Sequence, residues 1–224
     1  MSQVELFRPE LSSAEMSPLG ALGGSIKRAF DIVAAVLLIV LLAPLMLMIS
    51  ALIIGAQGRP FFIRHRRVGH NGQEFGCFKF RTMVTNAEEI LTEHLKRSPA
   101  AAMQWTANRK LVDDPRITPL GQALRKSSLD ELPQLFNIVR GEMSLVGPRP
   151  IVRDEAANYG AAFGDYIRAR PGLTGLWQVK GRSCTSYEER VKLDCEYVSS
   201  WSFRQDIVIL LMTVPSVLAA RGSL

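Results

Sequence analysis

Two adjacent carboxylates, Asp130 and Glu131, stand immediately ahead of an apolar run, Leu132, Leu135, Phe136 and Val139, spaced as one face of an α-helix. Gly141 closes the run with a residue suited to a helix C-cap. Ser128, three residues before Glu131, completes a capping-box pattern, and Pro133 is the alternative first helical residue. Either start places both carboxylates at the amino end of a helix, where the dipole favours negative charge and keeps a carboxylate ionised. That setting suits a nucleophile or a Mg²⁺ ligand. By itself it is also the setting of ordinary capping, the commoner use of acidic residues in a first turn.

The surrounding residues are more specific. Leu129-Asp130-Glu131-Leu132-Pro133-Gln134-Leu135, followed by Met143-Ser144-Leu145-Val146-Gly147-Pro148-Arg149-Pro150, resembles the signature of the bacterial sugar transferases, the monotopic polyprenyl-phosphate phosphoglycosyltransferases. The similarity runs from about Lys27 to the C-terminus. It takes in Phe78-Lys79-Phe80-Arg81-Thr82-Met83, Asp114-Pro115-Arg116-Ile117-Thr118 and Arg170-Pro171-Gly172-Leu173-Thr174-Gly175, leaving only the first two dozen residues outside.

The resemblance implies a reaction: a UDP-sugar gives its phospho-sugar to undecaprenyl phosphate, UMP leaves, and exopolysaccharide synthesis begins. It implies Asp130 as nucleophile and as ligand of a Mg²⁺ cofactor, and Glu131 as its polarising neighbour. Arg125 and Arg149 are the expected phosphate contacts, because guanidinium forks bind phosphate oxygens in pairs. Lys79 and Arg81 come second, and Thr174, Gln178 and Arg182 complete the substrate contacts. Within the family the chain looks closest to the undecaprenyl-phosphate galactose phosphotransferases. The same reaction with glucose or another UDP-sugar is the alternative. So is a non-catalytic membrane scaffold of a polysaccharide assembly complex, in which the acidic pair only caps a helix; UMP release on adding lipid phosphate separates them. A Mg²⁺-dependent phosphohydrolase, releasing UMP without lipid acceptor, is a third reading.

The elements that must hold these residues follow from the rest of the chain. It has 224 residues, 47% hydrophobic and 21% charged, enough for one ordinary domain plus an appendage. A net charge of +6 calls for an anionic partner such as phosphate groups or the cytoplasmic leaflet. Nucleic acid ranks low because the basic residues cluster beside an apolar segment. Cys77, Cys184 and Cys195 form no CxxC pair, and His65, His70 and His94 show no metal-ligand spacing, so neither zinc nor a disulfide framework is indicated.

Residues 1–25, rich in Ser, Pro and Gly without periodicity, read as a flexible tail. Ile32 to Gly58 contains no charged residue, while Lys27 and Arg28 precede it and Arg59, Arg64, Arg66 and Arg67 follow. A secretory signal is a poor match for so long an apolar stretch. As a straight helix it would run about 40 Å against a hydrocarbon core of about 30 Å. Pro44 near its middle bends a helix, and two basic flanks pull both ends to the cytoplasmic face. A re-entrant helix-break-helix over 26–58 satisfies both, a tilted spanning helix remains the alternative on the residues alone, and the resemblance favours the first. The resembled family is described with such an element, commonly broken at Ser-Pro; here the pair is Ala43-Pro44.

Residues 59–224 form the expected cytosolic catalytic domain. Asn71-Gly72 between two aromatic-rich runs predicts a β-hairpin over 61–81, with Arg64 to Arg67 on the leaflet surface. Thr85 with Glu88 opens a helix ending near Ser98-Pro99; Leu120 to Lys126 forms another that delivers Arg125 towards the carboxylates. A helix over Asp154 to Phe163 follows. Then comes a glycine-rich stretch in which Gly172, Gly175 and Gly181 let backbone approach a ligand, with Arg170, Lys180 and Arg182 adding charge and Trp177 a stacking face. Ser186 and Glu189 open a helix to about Trp201. The apolar Ile207 to Ala220, broken by Pro215, is too short to span and reads as a membrane-interface helix. The expected class is therefore mixed α/β, mostly helical and monotopic, on the cytoplasmic face of a bacterial inner membrane. Whether it forms a homo-oligomer is left open.

Overall fold

The computed structural model describes residues 20–108, 111–181 and 185–218. Helix α1 (Gly24–Gln57) has 34 residues and contains Pro44. It is one helix where the sequence suggested two: a proline withdraws a single amide donor, and the turns on either side remain helical. Helix α1 also begins earlier than expected. The Leu22 amide donates to the Arg168 carbonyl (3.1 Å), so residues 20–25 belong to the fold rather than to a tail. The remainder of the expected tail lies outside the described residues.

Val33, Leu37, Val40, Leu41 and Leu47 of α1 are exposed, while Ala35, Met46, Ile49 and Ile53 are buried against the rest of the chain. Among the described residues α1 is the one helix long and apolar enough to cross a membrane. Strands β1 (Phe62–Val68) and β2 (Glu74–Phe80) pair antiparallel, from Phe62 opposite Phe80 to Val68 opposite Glu74, as the hairpin signal predicted. Asn71, with φ 56°, takes the left-handed turn conformation that asparagine tolerates. Helices α2 (Ala87–Arg97) and α3 (Pro99–Asn108) follow, the first starting after Asn86 with no side-chain cap in place of the Thr85–Glu88 box.

Helix α4 (Pro119–Lys126) is capped by Thr118, whose hydroxyl accepts from the Gly121 amide (3.0 Å). A short 3₁₀ turn, Leu129–Glu131, then leads into helix α5 (Gln134–Arg140). Strand β3 (Ser144–Val146) pairs in parallel with β4 (Gly172–Thr174), Ser144 opposite Gly172 and Val146 opposite Thr174. Between them lie a 3₁₀ segment, Arg153–Ala162, where an α-helix was expected, and the single turn α6 (Phe163–Tyr166). Helices α7 (Leu176–Lys180), α8 (Tyr187–Ser199) and α9 (Phe203–Leu218) complete the chain. Helix α8 opens as read, with the Ser186 hydroxyl accepting from the Glu189 amide (3.2 Å).

Three apolar clusters organise these elements. The first joins Ala35 of α1 to Leu135, Ile138, Val146, Tyr197 and Ile209. A second sets Met46, Ile49 and Ile53 of α1 against Phe80 and Leu124. The third gathers Val68, Ile151, Tyr159 and Tyr166.

Polar ties fix α1 at both ends. At its start Lys27 pairs with Asp206 of α9 (2.6 Å), both buried, and Asp31 accepts from the Ser144 hydroxyl (2.8 Å) and the Leu145 amide (3.1 Å). At its end the Gln57 amide group donates to the Thr118 hydroxyl (2.9 Å), and the Arg81 guanidinium donates to the carbonyls of Gln57 (2.7 Å) and Gly58 (2.8 Å). Buried charge of this kind is stable only when paired, so each tie is specific to its partner.

Candidate active site

Asp130 and Glu131 sit in the 3₁₀ turn between α4 and α5 rather than in the first turn of a helix. Ser128, with φ 56°, makes no side-chain cap, and Glu131 turns away to Lys79 of β2, so the capping box predicted from Ser128 and Glu131 does not form. Lys79 Nζ lies 2.6 Å from Glu131 Oε1 and 3.6 Å from Asp130 Oδ2. One cation therefore serves both carboxylates.

Their environments separate the pair. Burial pushes the Asp130 carboxyl up, with Glu131 adding to the rise and Lys79 opposing it. Glu131 also feels burial, but Lys79 and then Arg149 outweigh it and hold this carboxyl low. The expectation that a helix dipole governs Asp130 is thus replaced: desolvation and Lys79 do.

Neighbouring groups are held in place by the local folds. Helix α5 carries Asn137, which has no exposed surface; its carbonyl accepts from the Phe78 amide (2.9 Å) and its amide donates to the Gly76 carbonyl (2.8 Å). This stitches the acidic turn to strand β2 and sets Lys79 beside it. Gly141, with φ 91°, ends α5 as predicted. The last carbonyls of that region accept from guanidinium groups: Ile138 and Val139 from Arg28 (2.6 and 3.0 Å), Gly141 from Arg170 (2.9 Å). Arg170, expected at a ligand, is a helix cap.

A pocket opens beside the turn, walled by Arg67, Cys77, Lys79, Glu131, Arg149 and Gln178 among others. Of the expected substrate contacts, Lys79, Arg149 and Gln178 line it. Arg149 lies over the Trp177 ring (5.6 Å), which Arg190 covers as well (4.8 Å); the stacking face expected of Trp177 is used on these arginines. Gln178 donates to the Leu173 carbonyl (3.3 Å), while its own Oε1 is buried without a hydrogen bond. Arg125 donates from Nε to the Thr82 hydroxyl (2.9 Å) and raises no wall of this pocket, although its charge acts on Asp130.

Two expected contacts belong elsewhere. Arg81 is buried under the end of α1, where the helix offers unpaired carbonyls that attract a cation. The Thr174 hydroxyl is hydrogen-bonded to that of Thr213 (2.8 Å), linking β4 to α9. Arg182 lies outside the described residues. Lys180 pairs with Glu196 (3.1 Å) at the surface. Room at the glycines is filled by protein rather than ligand: a Cβ on Gly172 would lie 2.1 Å from the Gly147 nitrogen, and one on Gly175 would lie 2.2 Å from the Gly147 oxygen.

Arg67, for which the leaflet surface was expected ahead of a diphosphate contact, lines the pocket beside Glu155 (3.7 Å). The signal was present in the hairpin register. With the turn at Asn71-Gly72, His65 faces Cys77 across the ladder, so His65, Arg67, Cys77 and Lys79 share one face. Cys77, pushed up to about 11 by burial, is a packed thiol rather than a nucleophile.

Among the described residues no three His, Cys, Asp or Glu side chains gather at one point. With Glu131 engaged by Lys79, a divalent ion here would have Asp130 as its protein ligand. That donor set agrees with Mg²⁺, which keeps waters and takes substrate phosphate oxygens, and not with a closed protein cage.

Residues 22–220 match the model of the family described as "Bacterial sugar transferase". The chain is 51% identical over 209 residues to the exopolysaccharide production protein ExoY of Sinorhizobium fredii, covering 93% of this chain and 92% of the relative. It is 48% identical over 198 residues to the UDP-galactose-lipid carrier transferase of Erwinia amylovora and 46% identical over 198 residues to the undecaprenyl-phosphate galactose phosphotransferase of Salmonella typhimurium. Each of these two matches covers 88% of this chain but 41% of the longer relative. With the acidic turn, its lysine and the arginine-walled pocket all inside the matched span, the chain belongs to the bacterial sugar transferase family.

Proposed function

We propose that this chain transfers a phospho-sugar, galactose 1-phosphate in our reading, from a UDP-sugar to undecaprenyl phosphate at the cytoplasmic face of the inner membrane. The single observation that carries the proposal is the carboxylate pair sharing Lys79, Asp130 buried and Glu131 partly so, with Glu131 and Lys79 in the wall of an arginine-lined pocket and Asp130 directly behind them. The galactose assignment draws on the two relatives named for galactose.

In the first step an Asp130 oxygen forms a bond to the sugar-proximal phosphorus, and the bond from that phosphorus to the bridging oxygen breaks; UMP departs with the electron pair. A phosphate oxygen of undecaprenyl phosphate then attacks the same phosphorus, and the carboxylate is released unchanged. Splitting the transfer lets donor and acceptor use one site in turn. Burial leaves the Asp130 carboxylate poorly solvated and hence more reactive, while Lys79 favours its ionised form against the rise that burial causes. Glu131, held low by Lys79 and Arg149, fixes the lysine between the two carboxylates. Arg149 and Arg67 offer guanidinium groups to the diphosphate. Mg²⁺, when bound by Asp130 and substrate oxygens, supplies further neutralisation of diphosphate charge.

The acceptor dictates the membrane geometry. Both ends of α1 are tied to one folded body, Lys27 and Asp31 to α9 and β3, Gln57 to the segment before α4. A spanning helix would place one set of ties across the bilayer, so a re-entrant α1 with its exposed apolar side in one leaflet is the arrangement we adopt. Incubating purified protein with undecaprenyl phosphate and a panel of UDP-sugars tests the reaction through UMP and lipid product. Donor labelled in the sugar-proximal phosphate should leave label on the wild type and none on Asp130→Asn, which stays folded and membrane-bound. Undiminished turnover by Asp130→Asn would remove Asp130 from its role.

A further inference from the structure

A second cavity adjoins the reaction pocket. It is an open cleft between strand β1 and the segment after Pro150, with His65, Arg66, Arg67, Glu74, Val152, Arg153 and Asp154 in its walls. Arg67 lines both cavities, so they meet at its guanidinium.

The course of β1 orients the two. Phe62 packs with Met46, Ile49 and Ile53 of the membrane helix, whereas Val68 belongs to the cluster of Ile151, Tyr159 and Tyr166, in which no described residue of α1 takes part. At about 3.3 Å per strand residue, Arg67 lies roughly 16 Å from Phe62. The second cavity is therefore on the side of the reaction pocket away from the half of α1 that carries Met46, Ile49 and Ile53. A water-soluble group belongs there; the apolar tail of a lipid acceptor does not.

Its chemistry narrows the occupant. Arg67 can only donate, so in its contact with His65 Nδ1 (3.1 Å) the imidazole accepts and carries its proton on Nε2. Partial burial, and then the charges of Arg67 and Lys79, push His65 down. The walls thus combine donors (His65 Nε2, Arg66, Arg67, Arg153) with carboxylate acceptors (Glu74, Asp154). A site for a bare anion gains nothing from two carboxylates. A nucleoside does, since its ribose hydroxyls and the base N–H donate while its base carbonyls accept.

Resting on the reaction proposed above, we infer that this cavity is the nucleoside subsite of the donor, and that Arg67 at the junction holds the phosphate that departs with the nucleoside. The diphosphate then runs from Arg67 towards Asp130, and the leaving nucleotide exits on the cytosolic side while the acceptor enters from the bilayer.

UMP is the probe. For the full chain in detergent, His65→Ala and Arg153→Ala should each weaken UMP inhibition and raise the KM for UDP-sugar about tenfold, the scale of one or two lost hydrogen bonds. The kcat and the KM for undecaprenyl phosphate should stay within about twofold. UMP inhibition unchanged in both variants, or a raised KM for the lipid alone, overturns the assignment. A second measurement needs no variant: 4-thio-UMP crosslinked to the wild type should attach within residues 64–67, at residue 74 or within 152–154, and attachment elsewhere overturns it. Crosslinking does not require turnover, so the two proposals fail separately. Transfer with attachment elsewhere removes the subsite alone; attachment here without transfer from any UDP-sugar removes the reaction alone.

Discussion

Replacing Lys79 by Met is the sharpest perturbation of the proposed site. The side chain keeps its length and loses its charge, 2.6 Å from Glu131 and 3.6 Å from Asp130. At an effective dielectric constant of about 20, a unit charge at these distances is worth roughly 5 kcal/mol gross to each carboxylate. The lysine side chain retains 21% of its exposure, and solvent screening reduces the net effect to about 1–3 kcal/mol, or one to two pH units. The sign is fixed: without the cation the ionised forms lose stabilisation and both carboxyl groups titrate at higher pH. If Asp130 attacks as a carboxylate, the acidic limb of the pH–rate profile must move up by that amount. Initial rates of UMP release between pH 4.5 and 9 measure it, and Lys79→Arg should restore most of the wild-type position. A lowered plateau with the acidic limb unmoved would refute the coupling between Lys79 and the nucleophile.

Three further outcomes follow from the packing. Lys27→Met should destabilise the fold by about 3–5 kcal/mol, because Asp206 is left charged and 1% exposed, whereas Lys27→Met with Asp206→Leu should regain most of it; thermal unfolding in detergent distinguishes a true pair from two independent losses. Asp194, hydrogen-bonded by the Tyr159 hydroxyl (2.7 Å), is raised by burial to about 7. The native state thus binds the extra proton, and stability should fall as pH rises from about 4 to 7, by at most ~4 kcal/mol; Asp194→Asn should flatten that slope, and an identical slope in the variant denies Asp194 its part. Gly172→Ala drives a methyl group into the Gly147 backbone at 2.1 Å. It should prevent β3 and β4 from pairing and abolish both folded yield and transfer, while Gly164→Ala, open on every side, should change neither.

How far the sequence disclosed this arrangement depends on which interactions are local. The hairpin, the Gly141 end of α5 and the start of α8 rest on neighbours in the chain, and they were legible. The acidic turn was misread because Glu131 has two competing uses. A capping box requires it to bend back three residues, but a lysine 52 positions away gives it a charge-assisted contact. Arg81 and Arg170 were misplaced for a related reason. An arginine near a phosphate site and an arginine capping a helix carry the same sequence signal, and only the fold reveals the unpaired carbonyls of α1 and α5 beneath them. Arg67 could have been placed from the hairpin register alone, since strand alternation puts it on the face of Lys79.

The anchoring of α1 bears directly on the proposed reaction. Arg81 grips the end of the helix and is two residues from Lys79, on the same strand extension. Thr82 follows it and accepts from Arg125, while Arg28 at the helix start caps the α5 region just beyond the acidic turn. Helix α1 therefore touches the chain on both sides of Asp130, and in the reaction proposed above the depth of α1 in a leaflet would fix the height of the nucleophile above it. A phosphate on a polyprenyl chain has little freedom to leave the interface, so a catalytic carboxylate must be brought to it rather than the reverse. Burying Lys27 and Asp31 inside the protein, instead of leaving them to snorkel, makes that height a property of the fold.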